Sequence, residues 1–409
     1  MGRQGINVII TVIAALLWSA PVAAEESRGA AELALPQSLE VRVAGAYVRT
    51  SPSPDGSRRG TLALGARIRP LQSTVAPGCE RPWYRIGDEA WVCGESVARR
   101  GTPPAAAHLP VVAEGELVPY SYGFANQDGA RLYRTLEDAD YDEWDREFDP
   151  RSGLHIKATV THHGHEYVRL VDGGYVPVGD VRPARPSAFH GLQLEPGQLA
   201  AWVTGRRGLV RPRPGRGKVL RRLDHRAGVP VLEQTTLGRA LWVKVAEGEW
   251  ASGQGLRVVE PAEPPPSVGP DEHWVHVDRE HQILTAYEGR RPVFATLVST
   301  GRRGAATPTG TFRIWAKLAT TVMSDESDSI DERPYTMQGV PWVMFFNEGV
   351  ALHGAYWHDD FGQRRSHGCV NLAPTDAAFL FGWTSPSLPP GWTGVLPTRS
   401  DPGTIVVVE

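Results

Sequence analysis

Between residues 38 and 260, apolar and polar residues alternate in short runs separated by Gly- or Pro-rich turns. Alternation with a period of two marks strands that bury one face, so this region is predicted to be short β-strands. The runs also recur in three similar sets. Tyr47-Val48-Arg49-Thr50-Ser51-Pro52 is followed by Trp83-Tyr84-Arg85-Ile86 and then Trp91-Val92. Leu132-Tyr133-Arg134-Thr135 is followed by Tyr167-Val168-Arg169-Leu170 and Tyr175-Val176, and Leu209-Val210-Arg211-Pro212 by Trp242-Val243-Lys244-Val245 and Trp250-Ala251. The spacings from Val48 to Trp83, Tyr133 to Tyr167 and Val210 to Trp242 are 35, 34 and 32 residues, and the next aromatic always follows after 8. Such self-similarity predicts repeated modules. Residues 261–271 break the pattern: five prolines and no hydrophobic period read as a semi-rigid linker. The remaining 272–409 is the size of one domain.

Composition sharpens this picture. The chain has 409 residues, 44 of them Gly and 34 Pro, which suits many tight turns and short strands better than long helices. Lys+Arg of 43 against Asp+Glu of 46 gives a formal charge of −3, without the basic excess of a nucleic-acid-binding chain. The N-terminus carries Arg3, an apolar run from Val8 to Trp18, and small residues at Val22 and Ala24. It reads as a signal peptide over 1–24, cleaved after Ala24; the run is short for a membrane anchor and ends at Pro21. No cysteine follows it, so lipoprotein processing is not indicated, and no later segment is apolar enough to span a bilayer. The mature protein is therefore expected in the periplasm or cell envelope, where disulfides persist. Of its three cysteines, Cys79 and Cys93 share one small segment and are suited to a bridge, which leaves Cys369 as an odd thiol.

The first module resembles the bacterial SH3-like (SH3b) domain through Val48-Arg49-Thr50-Ser51-Pro52, Gly60-Thr61-Leu62, Gly65-Ala66, Trp83-Tyr84-Arg85-Ile86 and Trp91-Val92. The third module is a fair match and the second a divergent one, with an acidic insertion from Glu137 to Asp149. The resemblance implies small β-barrels over 38–100, 115–186 and 195–260 that bind cell-wall peptide or glycan or act as spacers. Their aromatics are read first as barrel core. Asp138, Asp140 and Asp142 imitate a calcium loop, but Glu143 and Asp149 stand where Gly and Glu belong, so a solvated acidic loop is expected. His162, His163 and His165 around Gly164 read as a hairpin turn. Arg206 to Arg226, with nine basic residues against Asp224, suits either a contact with an anionic wall polymer or a solvated face.

The chemistry concentrates between Ala351 and Leu372. Cys369 lies sixteen residues after His353 and two after His367. A thiol is mostly protonated at neutral pH, and a neighbouring imidazole can take its proton or stabilise the thiolate. Gly368 lets the backbone bend close to a substrate, and adjacent N–H groups there suit an oxyanion. The order does not match papain-like or caspase-like enzymes. Nor do His353, His358, His367 and Cys369 fit a common zinc spacing. An inert buried thiol is disfavoured by the polar and Gly residues around it.

His353-Gly354, the loop 355–365 and Ser366-His367-Gly368-Cys369 resemble the signature of the L,D-transpeptidase catalytic (YkuD) family. Trp274 to Tyr287, Val298-Ser299-Thr300-Gly301 and Thr307-Pro308-Thr309-Gly310-Thr311-Phe312 agree with it in order. Asn371 stands where many members carry Arg, although Asn also occurs. The resemblance implies a mostly-β chain: several small SH3-like β-barrels, then a β-sandwich-like catalytic domain over 272–409. It implies Cys369 as nucleophile and His353 as proton donor and acceptor. His367 would assist, and Gly368 with Cys369 would offer the oxyanion site. Gly354, Ser366, Asn371 and Trp342 are expected to contact substrate; Tyr335, Met337 and Phe345 are cleft wall or core. The implied partner is the tetrapeptide stem of peptidoglycan, giving a thioester and 3→3 cross-links, or tripeptides if water resolves the thioester. No metal or cofactor is required, since the thiol does the covalent work. His358 is expected on the solvent or substrate side of the loop, and the acidic stretch Ser324 to Glu332 to be a solvated loop. The chain is expected to act as a monomer.

Overall fold

The computed structural model describes residues 35–205, 207–324 and 336–409. The apolar leader, Arg206, the acidic residues 325–332 and Tyr335 lie outside these. The chain is mostly β, as its alternation predicts. Among the described residues the α-helices are the short Leu136–Asp140 and the longer Pro374–Trp383, and no helix is long and apolar enough to cross a membrane.

The three modules repeat one hairpin. Arg85 pairs with Trp91, Arg169 with Tyr175 and Lys244 with Trp250, so a basic residue faces the second aromatic each time. Trp83, Tyr167 and Trp242, the first aromatics, are buried. In Ala46–Arg49 the alternation acts as expected: Ala46 and Val48 are buried and Tyr47 is exposed. A disulfide joins Cys79 and Cys93. The histidine turn is a hairpin in which His162 pairs with His165, while His163 and Gly164 take φ of 47° and 85°. The acidic insertion is partly ordered. Thr135 and Asp138 form a capping box on Leu136–Asp140, and Asp142 pairs with Arg131 and accepts from the Tyr133 hydroxyl.

The last domain is a sandwich of two sheets. In one, Gly310–Arg313, Ile405–Val408, His273–Asp278, Ile283–Glu288 and Arg291–Leu297 lie side by side, with Leu192–Gln193 added at the edge from the segment between modules. In the other, Ala316–Ser324, Thr336–Asn347, Val350–Gly354 and Val370–Leu372 are neighbours. Val275, Leu284, Ala286 and Phe294 from the first sheet meet Met344, Leu352, Val370 and Leu372 from the second, with Leu380 of the helix closing the core. The helix begins with Pro374 in its first turn, where a missing N–H costs nothing. Its C-terminal end is held by fully buried Lys317, whose Nζ donates to the Phe381 and Thr384 carbonyls at 2.6 and 2.7 Å. Burial lowers this ammonium's pKa to about 7.

The modules are joined to the sandwich and do not hang from it. Strand Arg58–Leu62 pairs with Trp392–Val395, and a Cβ on Gly60 would lie 2.2 Å from the Gly394 carbonyl oxygen. Strand Gly153–His162 meets Thr336–Asn347 in parallel at Gly153 and Met337. Trp202, fully buried, packs with Ala295, Leu297, Ala355 and Phe361. The proline segment is not a free spacer: Ala262 and Val268 pack against Trp274, Tyr287 and Ile405, and the Ala262 N–H donates to the Tyr287 hydroxyl at 3.0 Å. Residues 35–409 form one compact unit.

Candidate active site

Two adjacent parallel strands carry the chemistry. Val350–Gly354 pairs with Val370–Leu372 in the register Leu352 to Val370, His353 to Asn371 and Gly354 to Leu372. Side chains alternate along a strand, and partners in a parallel pair share a face. His353 and Asn371 therefore project from one face, and Cys369 sits in the bend that leads into Val370–Leu372. The sequence separation of sixteen is the loop that lets the chain return beside itself.

Cys369 is a free, partly exposed thiol. Its Sγ lies 3.8 Å from the Gly349 carbonyl oxygen. Burial pushes its pKa up, partly offset by the Ala351 N–H directed at the sulfur. His353 is buried at 2% exposure, and burial lowers its pKa to about 4. Its Nδ1 lies 3.2 Å from the Gly354 carbonyl oxygen. A carbonyl only accepts, so Nδ1 carries the proton and Nε2 keeps its lone pair. At neutral pH the resting pair is thus a neutral thiol and a neutral imidazole with its basic nitrogen available.

The turn before the thiol is fixed by Ser366. Its hydroxyl donates to the Cys369 carbonyl and accepts the Gly368 N–H at 3.2 Å. Gly368 has φ of 126°, a region that L side chains rarely adopt, and a Cβ there would meet nothing closer than Val350 at 3.8 Å. Glycine is needed here for backbone conformation and not for space. The expected oxyanion pair is altered, because the Gly368 N–H is already engaged by Ser366. The Cys369 N–H has no backbone acceptor among the described residues and is the donor left for an oxyanion. His367 is half-buried in the same turn.

Two expected substrate contacts are core instead. Trp342 is 3% exposed within the sandwich core and takes φ of 56°. A Cβ on Gly354 would sit 2.9 Å from the Trp342 ring, so Gly354 is the small residue that lets this ring close beneath the His353 strand. Met337 is buried, and Phe345 packs beside it against the cluster of Val340, Val343 and Ala351.

His358, expected on the solvent or substrate side of the loop, faces Asn371. Its Nε2 lies 2.9 Å from the Asn371 carboxamide nitrogen, while its Nδ1 accepts the Asp360 N–H at 3.2 Å. A neutral imidazole cannot accept at both nitrogens, so Nε2 carries the proton and requires an acceptor. Turning the carboxamide to present Oδ1 satisfies it. That turn brings the otherwise unpartnered Asn371 oxygen to the His358 N–H and puts the carboxamide NH₂ in its buried place. Burial holds the His358 pKa down at about 4.

The loop 355–365 is gripped from outside the catalytic domain. Arg226 makes a two-pronged contact with Asp359 at 2.8 and 2.5 Å and also donates to the Asp359 carbonyl. Ser187 donates to the same carboxylate, and Arg257 donates to the Gly362 carbonyl at 2.8 Å. Tyr122 stacks on Tyr356 with centroids 3.8 Å apart and donates to the Gly339 carbonyl at 2.7 Å. The basic run thus gives one of its arginines to the catalytic loop. Nothing in the sequence marks a partnership across 133 residues. The side chains that converge as potential metal ligands among the described residues are Asp140, His162 and His163, and the bridged Cys79 and Cys93 with Glu95; the catalytic histidines do not converge in this way.

The mostly-β sandwich carries the buried His353 on one strand and, on the strand paired with it, the residues that follow the free thiol of Cys369. Residues 272–408 match the family model of the L,D-transpeptidase catalytic domain (YkuD), and this part of the chain is such a domain. Similar solved structures include a mutant L,D-transpeptidase of Enterococcus faecium, 23% identical, covering 37% of this chain and 55% of that one at a TM-score of 0.28. An L,D-transpeptidase (Yku) from Stackebrandtia nassauensis is 29% identical, with 35% and 58% covered at 0.24. An L,D-transpeptidase from Mycobacterium smegmatis is 16% identical, with 63% and 99% covered at 0.28. The chain spans a little over half the length of the first two. No curated protein matches it.

Proposed function

We propose that the protein is an exported L,D-transpeptidase that acts on the tetrapeptide stems of peptidoglycan through a Cys369 thioester. The observation that carries this reading is the His353 ring, whose Nδ1 is tied to the Gly354 carbonyl on the strand paired with the one that the free Cys369 leads into. His353 Nε2 takes the thiol proton as Sγ attacks the carbonyl carbon of the third stem residue. The developing oxyanion is met by the Cys369 N–H. On collapse the C–N bond breaks, the same proton passes to the leaving D-Ala amine, and a thioester remains. The amine of a second stem, relieved of its proton by His353, attacks the thioester, and the thiol recovers the proton as the 3→3 cross-link forms. The apolar leader and the Cys79–Cys93 bridge support work outside the cytosol.

Incubating the mature chain with tetrapeptide muropeptides tests this directly. Cross-linked dimers are expected, and Cys369→Ala is expected to abolish them and any covalent acyl adduct. Tripeptides without dimers would identify a carboxypeptidase. Wild-type chain that forms no adduct would leave a wall-binding protein.

A further inference from the structure

A cavity of about 390 Å³ opens beside the catalytic histidine and is lined by Phe124, Arg182, Pro183, Arg185, Tyr356 and Trp357. Two of these walls belong to the catalytic loop, and the rest come from the second module. The Trp357 ring lies 5.6 Å from the His353 ring, so one side chain separates the cavity from the base. Trp357 and Cys369 also pack against the same apolar cluster, to which the second module contributes Val118, Tyr122 and Phe124. Both charged groups in the wall are guanidinium, and no carboxylate lines the cavity. Arg182 pairs across strands with Phe124 and lies over its ring at 4.9 Å, which leaves the edge of the guanidinium free. Neither Arg182 nor Arg185 makes an ion pair or hydrogen bond among the described residues, whereas Arg226 and Arg257 nearby are both engaged.

We propose that this cavity is a subsite for a carboxylate of the peptide stem, so that the second module supplies part of the substrate-binding surface. The inference rests on the transpeptidase reading and extends it to specificity. A forked guanidinium matches a carboxylate in two-point geometry. Stem peptides carry carboxylates on residues flanking the scissile bond.

The test uses the full mature chain carrying Cys369→Ala, so that binding is measured without turnover. Affinity for a free tetrapeptide is compared with affinity for the same peptide with its carboxylates converted to carboxamides, with and without Arg182→Gln plus Arg185→Gln. Losing charge-assisted hydrogen bonds at both positions is expected to weaken the carboxylate peptide by about tenfold or more. The amidated peptide is expected to bind as weakly as that and to ignore the arginine substitutions. Thermal unfolding confirms that the variant is folded. Equal affinities with and without the arginines, undiminished binding of the amidated peptide, or no binding at millimolar peptide would each overturn the subsite. Turnover by the chain with an intact thiol is scored separately. Arginine-dependent binding without turnover would sink the transpeptidase reading and keep the subsite; turnover with an arginine-insensitive KM would do the reverse.

Discussion

At the scale of single residues, the site holds its proton in an unreactive form until substrate arrives. The thiol pKa is raised and that of His353 lowered to about 4, so burial opposes a stored thiolate–imidazolium pair. Cys369 is the free thiol, which makes alkylation a specific readout. With iodoacetamide we expect slow labelling at pH 7 that keeps rising beyond pH 9; a plateau reached below pH 7 would show a preformed ion pair. Stability should also respond to acid. His353 titrates near 6.5 when unfolded and about 4 when folded. Between those values the unfolded chain binds a proton that the folded chain refuses, so stability falls as pH drops through this window. The slope approaches about 1.4 kcal/mol per pH unit for each such group, His358 adds to it because burial holds it at about 4 as well, and urea unfolding at pH 6.5 and 4.5 would measure the sum. Cys369 and His353 stand out in sequence as the proposed nucleophile and base because their chemistry is carried by residue type and close spacing. Trp342 was misread because an aromatic near a motif looks alike whether it lines a cleft or fills a core. The hydrogen bond between Ser366 and the Gly368 N–H depends on a turn conformation that spacing does not encode.

Among elements, the loop 355–365 determines how well these residues are placed. Its apolar anchors, Tyr356 and Phe361, are buried, and its polar tip is held by Arg226. The Asp359 carboxylate is 53% exposed, so the ion pair adds little to global stability. Its effect falls on geometry instead, since the same loop carries His358, the partner of Asn371. Arg226→Ala is therefore expected to leave the melting temperature within about 2 °C while lowering kcat/KM by roughly tenfold. An unchanged kcat/KM would mean that the loop holds its position without module three. The helix Pro374–Trp383 depends on a different contact. Lys317→Ala would leave the Phe381 and Thr384 carbonyls unpartnered and open a cavity, at a cost of about 3 kcal/mol by denaturant unfolding. Strand alternation made the hairpins legible in sequence, whereas a lysine acting as a helix cap from a neighbouring strand leaves no local pattern.

For the whole molecule, the sequence suggests separable units, because a proline-rich run between periodic segments has the composition of a linker. The structure packs that run against the last domain, since Ala262 and Val268 cover Trp274 and Tyr287. Cutting the chain at residue 271 would uncover more than the linker's footprint. Strand Trp392–Val395 would lose its partner Arg58–Leu62, Tyr356 would lose the stacked Tyr122, and Ala355 and Phe361 would lose Trp202. Unpaired strand edges and newly exposed aromatics favour association over folding. Residues 272–409 expressed alone are therefore expected to aggregate or to melt well below the full chain, and residues 35–409 to unfold in a single transition by calorimetry. A soluble fragment with full muropeptide activity and an unchanged melting temperature would show that the catalytic domain stands alone. Gly60→Val provides the same test within the intact chain. Its side chain cannot fit against Gly394, so it should loosen the first module from the sandwich and split the single transition in two.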